Sequence, residues 1–344
     1  MALAGLEIYL KRRYNEYNFT STLAPLPLFA LALAKKLEEA ITLPNDISNK
    51  PVLHYHVAGL SDTGMVRDHN EDAYKLPDGT DAHTLKKNGH LYVLADGMGG
   101  HQKGEVASAV TAETVNAEYY ASIIPISDDN PEQAIADALA NAIEKANEKV
   151  MDATQGGGTT IVAAVLYGDS LVSMNVGDSR AYLLRNNELR LLSKDHSLVS
   201  RLVEMGKITD EEALTHPRRN VLYQALGQGS DVEIHTTTEK VQVNDVIILC
   251  SDGLWGEVRD PAIKGILNSA SRPLEAAKQL IDSANQQGGP DNITAIIIQV
   301  SDQTLPESET DTKPQSHNPD DTQPSLIARH EKPSTLPEGN QNSQ

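Results

Sequence analysis

Four aspartates stand at the ends of segments that read as buried strands, the first three after the strand and the last before it. Asp96 follows the apolar run LYVLA and leads into Gly97, Gly99 and Gly100. Asp252 follows VIILCS and precedes Gly253, Asp178 closes VSMNVG, and Asp291 stands just ahead of NITAIIIQV. Upstream, GMVRDHNEDA contributes Arg67, Glu71 and Asp72. Carboxylates fixed at strand ends can converge on one rim of a sheet. Crowded together, their charged forms are disfavoured, and a hard divalent cation removes that repulsion. An all-oxygen donor set selects magnesium or manganese over zinc. Glycine beside two of these aspartates leaves a bare backbone carbonyl as a further ligand. Each piece alone has a plainer meaning: an Asp-Gly turn, an Asp-Asn cap, a surface salt bridge for Arg67. The recurrence of the pattern is what favours the metal reading.

The elements that must hold these residues occupy 53–300. Asn130-Pro131 is a helix start, with a capping side chain and then proline at the first helical position. Ile135, Leu139, Ile143, Ala146 and Val150 follow at spacings of three and four, giving one apolar face. The stretch from Gly156 to Ser193 predicts successive strands turning at Gly168-Asp169, Gly177-Asp178 and Asn186-Asn187, an antiparallel meander. Residues 246–249 and 293–300 predict two more buried strands. Helices and strands fall in blocks, which predicts an antiparallel α+β domain rather than a parallel doubly wound one. No internal repeat is visible. Residues 1–52 form an N-terminal extension with a helix predicted over 28–41. From 301 to 344 the chain is rich in Pro, Ser, Thr and Asp and reads as a disordered acidic tail.

Composition narrows the field further. A formal net charge of −19 argues against nucleic acid and anionic membrane as partners. No apolar run reaches the ~18–20 residues that span a bilayer, so no integral membrane anchor is expected. The run LAPLPLFALALA at 23–34 carries two prolines and a long polar lead, and reads as a packing helix rather than an export signal. The lone Cys250 admits no intramolecular disulfide, which suits the cytoplasm. A cysteine-based phosphatase would need arginine six positions after its thiolate, where this chain has Gly256. A phosphate-binding P-loop fails as well, because Glu105 stands where lysine is required.

Taken in order, GMVRDHNED, LADGMGGHQKGEVAS, GGTTIVAAVL, NVGDSRAYLL, LCSDGLW and GGPDNIT resemble the motifs of the bacterial PPM-type (protein phosphatase 2C) family of metal-dependent serine/threonine phosphatases. The resemblance spans about 56–300. It implies a four-layer sandwich of two packed antiparallel β-sheets flanked by helix pairs. It implies two Mn2+ or Mg2+ ions bridged by Asp96 and by the Gly97 carbonyl. Asp252 and Asp291 complete the shell of the first ion, and Glu71 and Asp72 support the second, directly or through water. Asp178 corresponds to a residue that helps hold a third, weaker ion, and Arg67 to the arginine that binds substrate phosphate. The implied reaction is in-line attack on phosphorus by a metal-bridging hydroxide, with no phosphoenzyme. The implied partners are phosphorylated proteins, among them a cognate serine/threonine kinase or its targets. Residues 194–227, with a helix in GKITDEEALTHP, resemble the family's mobile flap. Met98 departs from eukaryotic members that carry histidine there, while His101 matches a histidine of bacterial members and is a candidate proton donor. The reading from another class is a catalytically silent family member acting as a regulatory module. Its signature would be a missing metal aspartate, and none is missing. A binuclear phosphodiesterase would share the metal logic without this order of motifs.

Overall fold

The computed structural model describes residues 52–77, 79–99, 102–122 and 130–303. The chain divides into a unit Met1–Pro51 and a unit Val52–Gln344, and every described residue belongs to the second. The helix expected over 28–41 and the tail from 304 onward lie outside the described residues.

Two antiparallel sheets form the centre. One is ordered β1 (His54–Asp62), β11 (Ile293–Ser301), β10 (Val246–Cys250), β7 (Arg180–Arg185), β8 (Glu188–Leu191). The other is ordered β2 (Asp72–Lys75), β3 (His90–Met98), β5 (Ile161–Tyr167), β6 (Ser170–Val176), β9 (His235–Lys240). A two-residue strand, β4 (Gly158–Thr159), pairs with the end of β3.

The period-2 alternation of each strand explains why the runs are apolar throughout. In β3, Tyr92 and Leu94 face the other sheet, where they meet Leu183, Ile247, Leu249 and Ile296. Leu91 and Val93 face the opposite way, onto helices α2 (Gln102–Ala121) and α3 (Pro131–Thr154). The face predicted for α3, from Ile135 to Val150, is buried there, and Asn130 caps that helix by accepting from the Gln133 N–H. In β10, Ile248 and Cys250 turn outward onto α7 (Asp260–Ser269) and α8 (Pro273–Gln286), against Ile263, Leu267 and Leu280. The layers are therefore helix, sheet, sheet, helix. At roughly 1.5–3 kcal/mol for each fully buried large apolar side chain, these three cores hold the strand ends rigidly.

One expectation is corrected. The turns at Gly168-Asp169 and Asn186-Asn187 do join paired strands, β5 to β6 and β7 to β8. The chain at Gly177-Asp178 does not make a hairpin: β6 pairs with β5 and β9, whereas β7 pairs with β8 and β10 in the other sheet. Gly177, at φ +100°, passes so close to Thr160 that a Cβ would lie 2.6 Å from its methyl carbon. The crossover places Asp178 between the two sheets rather than at the tip of a ribbon.

Between β8 and β9 the chain makes the excursion over 194–227. It carries α4 (Leu198–Glu204) and a single turn, α5 (Asp210–Leu214). Thr209 and Glu212 close a reciprocal capping box at the start of that turn, at 3.2 and 2.8 Å. Two further helical segments, α1 (Ala82–Asn88) and the single turn α6 (Asp252–Trp255), complete the described elements.

Candidate active site

Asp96 lies near the end of β3, with Asp72 as its register partner in β2. Its backbone is fastened on the other side by the adjacent Thr159 and Thr160. The Asp96 carbonyl accepts from the Thr160 N–H at 2.9 Å and from Thr159 Oγ1 at 2.7 Å. The Asp96 N–H donates to Thr160 Oγ1 at 3.2 Å. Gly97 cannot be anything larger: a Cβ there would sit 2.2 Å from the Gly104 carbonyl oxygen and 2.6 Å from that of Glu71. Glycine thus lets β3, the NED segment and the start of α2 meet backbone to backbone.

Asp252 begins the turn α6 just past β10. Its neighbour Ser251 and Thr294 of β11 both donate to Asp72 Oδ2, at 2.9 and 2.6 Å. Asp72 is therefore held between the sheets, and its Oδ1 is buried with no partner. Asn292 ties the Arg67 loop to β11. Its Oδ1 accepts from the Glu71 N–H at 2.8 Å, and its Nδ2 donates to the carbonyls of Thr63 and His69, each at 2.9 Å. Arg67 Nη2 donates to Asp291 Oδ2 at 2.7 Å, with both side chains part-exposed.

These placements open onto one cavity of about 550 Å3. Arg67, Glu71, Asp96, Asp178, Asp252 and Asp291 all line it, together with Gly97. Asp72 does not line it and stands behind. His101 lies outside the described residues. The opposite wall comes from the end of the excursion, with Asn220, Leu222 and Tyr223, and from Gln228 just after it.

The electrostatics follow from burial and crowding. Burial, then the charges of Asp72, Asp252, Asp178 and Asp291, hold the Asp96 carboxyl well above the ordinary aspartate range. Burial raises Asp72 to about 7, offset in part by the Thr294 and Ser251 hydroxyls. Asp252 is pushed up to about 6, again by burial first and Asp291 second. Asp178 is raised by burial, then by Asp252 and Asp195. Carboxylates buried at such cost, with one arginine beside them, fit a site for divalent cations, and the orphaned Asp72 Oδ1 points the same way. Among the described residues, no three His, Cys, Asp or Glu side chains close round a single point. An ion held here would therefore take part of its shell from backbone carbonyl and water oxygens rather than from carboxylates alone.

Sequence reasoning found the cavity carboxylates but assigned no work to Thr159, Thr160, Ser251, Asn292 or Thr294. Ser251, Asn292 and Thr294 stand within three residues of an aspartate in the quoted motifs, and that proximity was the available signal, whereas Thr159 and Thr160 lie in GGTTIVAAVL, which holds no aspartate. The resemblance placed the 194–227 flap beside the site, and Asn220, Leu222 and Tyr223 of that excursion do line the cavity, but nothing in the sequence singled them out within it.

The protein phosphatase 2C family model matches residues 67–288. A serine/threonine phosphatase stp from Listeria welshimeri is 37% identical over 251 residues, covering 71% of this chain and 95% of that protein. The crystal structure of the Mycobacterium tuberculosis serine/threonine phosphatase PstP/Ppp superposes with a TM-score of 0.61 at 36% identity, covering 73% of this chain and 99% of that one. A further structure, the catalytic domain of PstP in complex with two manganese ions, superposes with a TM-score of 0.60 at 35% identity, again covering 73% and 99%. With the sandwich, the shared motifs and the acidic cavity in agreement, the chain belongs to the protein phosphatase 2C family and is a serine/threonine phosphatase of the bacterial PPM type.

Proposed function

We propose that this chain removes phosphate from phosphoserine and phosphothreonine of other proteins with the help of two Mn2+ or Mg2+ ions. The observation that carries the proposal is the convergence of Arg67, Glu71, Asp96, Asp178, Asp252 and Asp291 on one cavity. Asp96 and the Gly97 carbonyl would contribute to both ions, Asp252 and Asp291 to one, and Glu71 to the other. Asp178 supports a third, weaker ion. Asp72 acts from behind the wall, where its bonds to Ser251 and Thr294 lock the two sheets at the site. When bound, the ions supply Lewis acidity that makes a water nucleophilic at neutral pH.

The protein's own part is binding, orientation and charge. Arg67 offers a planar fork to the phosphoryl oxygens, a better match than its single contact with Asp291. Phosphate binding then draws Arg67 from Asp291 and frees that carboxylate. The reading calls for no phosphoenzyme: among the described residues lining the cavity the one serine or threonine is Thr160, whose hydroxyl is engaged with that of Ser179 at 2.7 Å, and Cys250, outside the lining, is fully buried with its thiol pushed up by that burial. His101 remains the candidate donor to the leaving serine or threonine oxygen. Asn220, Leu222 and Tyr223 face the substrate from the excursion and shape its choice. The partners are phosphorylated proteins, including a cognate kinase or its targets, in the cytoplasm. Among the described residues no helix is long and apolar enough to cross a membrane.

Calorimetric titration with Mn2+ tests the ligand set. The wild type should bind at least two ions, and Asp96→Asn, which removes the shared carboxylate, should lose at least tenfold in affinity for both. Unaltered binding by Asp96→Asn would show that the ions lie elsewhere.

A further inference from the structure

Met65 and Val66 are 68% and 67% exposed, an adjacent pair of large apolar side chains set in water immediately before Arg67. A single exposed apolar side chain is ordinary, but two together beside a substrate cavity call for a partner. The pair does not hang from a loose loop. The Met65 N–H donates to the Gly289 carbonyl at 2.8 Å. Gly64 turns the chain at φ +79°, where a Cβ would lie 2.2 Å from the Asp291 carbonyl oxygen. Its N–H donates to Asp62 Oδ1 at 2.8 Å. Asn292 donates to the carbonyls of Thr63 and His69, one on each side of the pair. The turn at 64–66 is thus pinned to the segment 289–292, and it holds two apolar side chains out at fixed positions.

Their place relative to the site says what would cover them. Arg67 lines the cavity that takes the phosphoryl group. Consecutive Cα atoms are about 3.8 Å apart, so the pair lies within about 8 Å of the Arg67 backbone. That is the reach from a bound phosphoresidue to its neighbours one or two positions along a peptide. The opposite wall differs in chemistry, for Asn220, Gln224 and Gln228 bring carboxamides to the cavity. Carboxamides both donate and accept, which suits a peptide main chain and selects no side chain. The apolar pair supplies what that wall lacks, a surface that gains by covering an aliphatic group. The net charge of −19 works against an acidic flank on the substrate.

We propose that Met65 and Val66 form an apolar lip that selects phosphoproteins carrying a large aliphatic residue within two positions of the phosphoserine or phosphothreonine. This rests on the phosphatase reading above and narrows its substrate class. Arg67 holds the phosphoryl group, and the two residues before it read the side chain beside that group.

The test uses the whole chain at saturating Mn2+ with alanine-based phosphothreonine peptides. A single leucine is moved through the two positions before and the two positions after the phosphothreonine. For each peptide, kcat/KM is divided by that of the peptide with no leucine. In the wild type, leucine in at least one position should bring this ratio to about threefold or more. In the double variant Met65→Gln, Val66→Ser, the same ratio should fall to less than half its wild-type value. The ratio is internal to each protein, so a variant that merely loses activity or stability does not move it. If the double variant fails to fold by circular dichroism, Val66→Ser alone decides by the same criterion. A wild-type ratio under threefold at every position, or one that the variant keeps above half, would overturn the inference. A wild type that releases phosphate from none of the peptides would instead remove the phosphatase reading on which the inference rests.

Discussion

Arg67 is held at 2.7 Å from Asp291 and faces the cavity, so its contribution should be to hold the phosphoryl group. A charge-assisted bond of this kind is worth about 1.5–3 kcal/mol. Arg67→Ala should therefore raise KM for a phosphothreonine peptide about tenfold to a hundredfold while manganese affinity stays near wild type, as steady-state kinetics and titration would show. Gly97 makes a second prediction. Gly97→Ala would push a methyl into two carbonyl oxygens at 2.2 and 2.6 Å, and should fold poorly or lose Mn2+ binding, read by circular dichroism and titration. The aspartates make a third. Asp72, raised to about 7, and Asp252, raised to about 6, keep protons in the folded state that the unfolded chain has lost. Folding of the chelated protein therefore takes up protons between about pH 4 and 7. Stability from these groups is full below that window and falls as pH rises through it. The melting temperature of chelated protein should drop from pH 5 to pH 7.5, and added Mn2+ should oppose the drop more strongly at the higher pH. A melting temperature that rises over this range would contradict the buried, unpaired state of these carboxylates. The carboxylates themselves were legible in the sequence because their types recur at strand ends. The roles of Asn292 and Thr160 were not, since a buried amide or hydroxyl acts through partners distant in sequence: Asn292 reaches Thr63, His69 and Glu71.

At the scale of elements, the site is a product of pairing. The strands, the capped start of α3 and the hairpin turns could be read from apolar periodicity and turn chemistry, because those signals are local. The crossover at Gly177-Asp178 could not, because Gly-Asp there has the same chemistry as Gly168-Asp169. What separates them is partner choice, with β7 pairing with β10. Asn292 fastens the Arg67 loop to β11, and its removal should take away the bonds it makes to the Glu71 N–H and to the Thr63 and His69 carbonyls. At about 1–3 kcal/mol for each buried unsatisfied group, Asn292→Ala should lower stability by at least about 2 kcal/mol in urea unfolding. Loss of less than 0.5 kcal/mol would show that the loop is held by other contacts.

At the scale of the molecule, the chain combines a net charge of −19 with a rim where several buried carboxylates face one another. That arrangement is expensive alone and is relieved by divalent cations, so fold and activity should share a dependence on them. The central claim is tested most directly by phosphate release from a phosphothreonine peptide at saturating Mn2+, comparing the wild type with Asp252→Asn. The wild type should release phosphate only when the metal is present and should fall silent with chelator. The variant, folded but short of one ligand, should lose at least a hundredfold in rate. Phosphate release that is indifferent both to chelator and to Asp252→Asn would contradict the account.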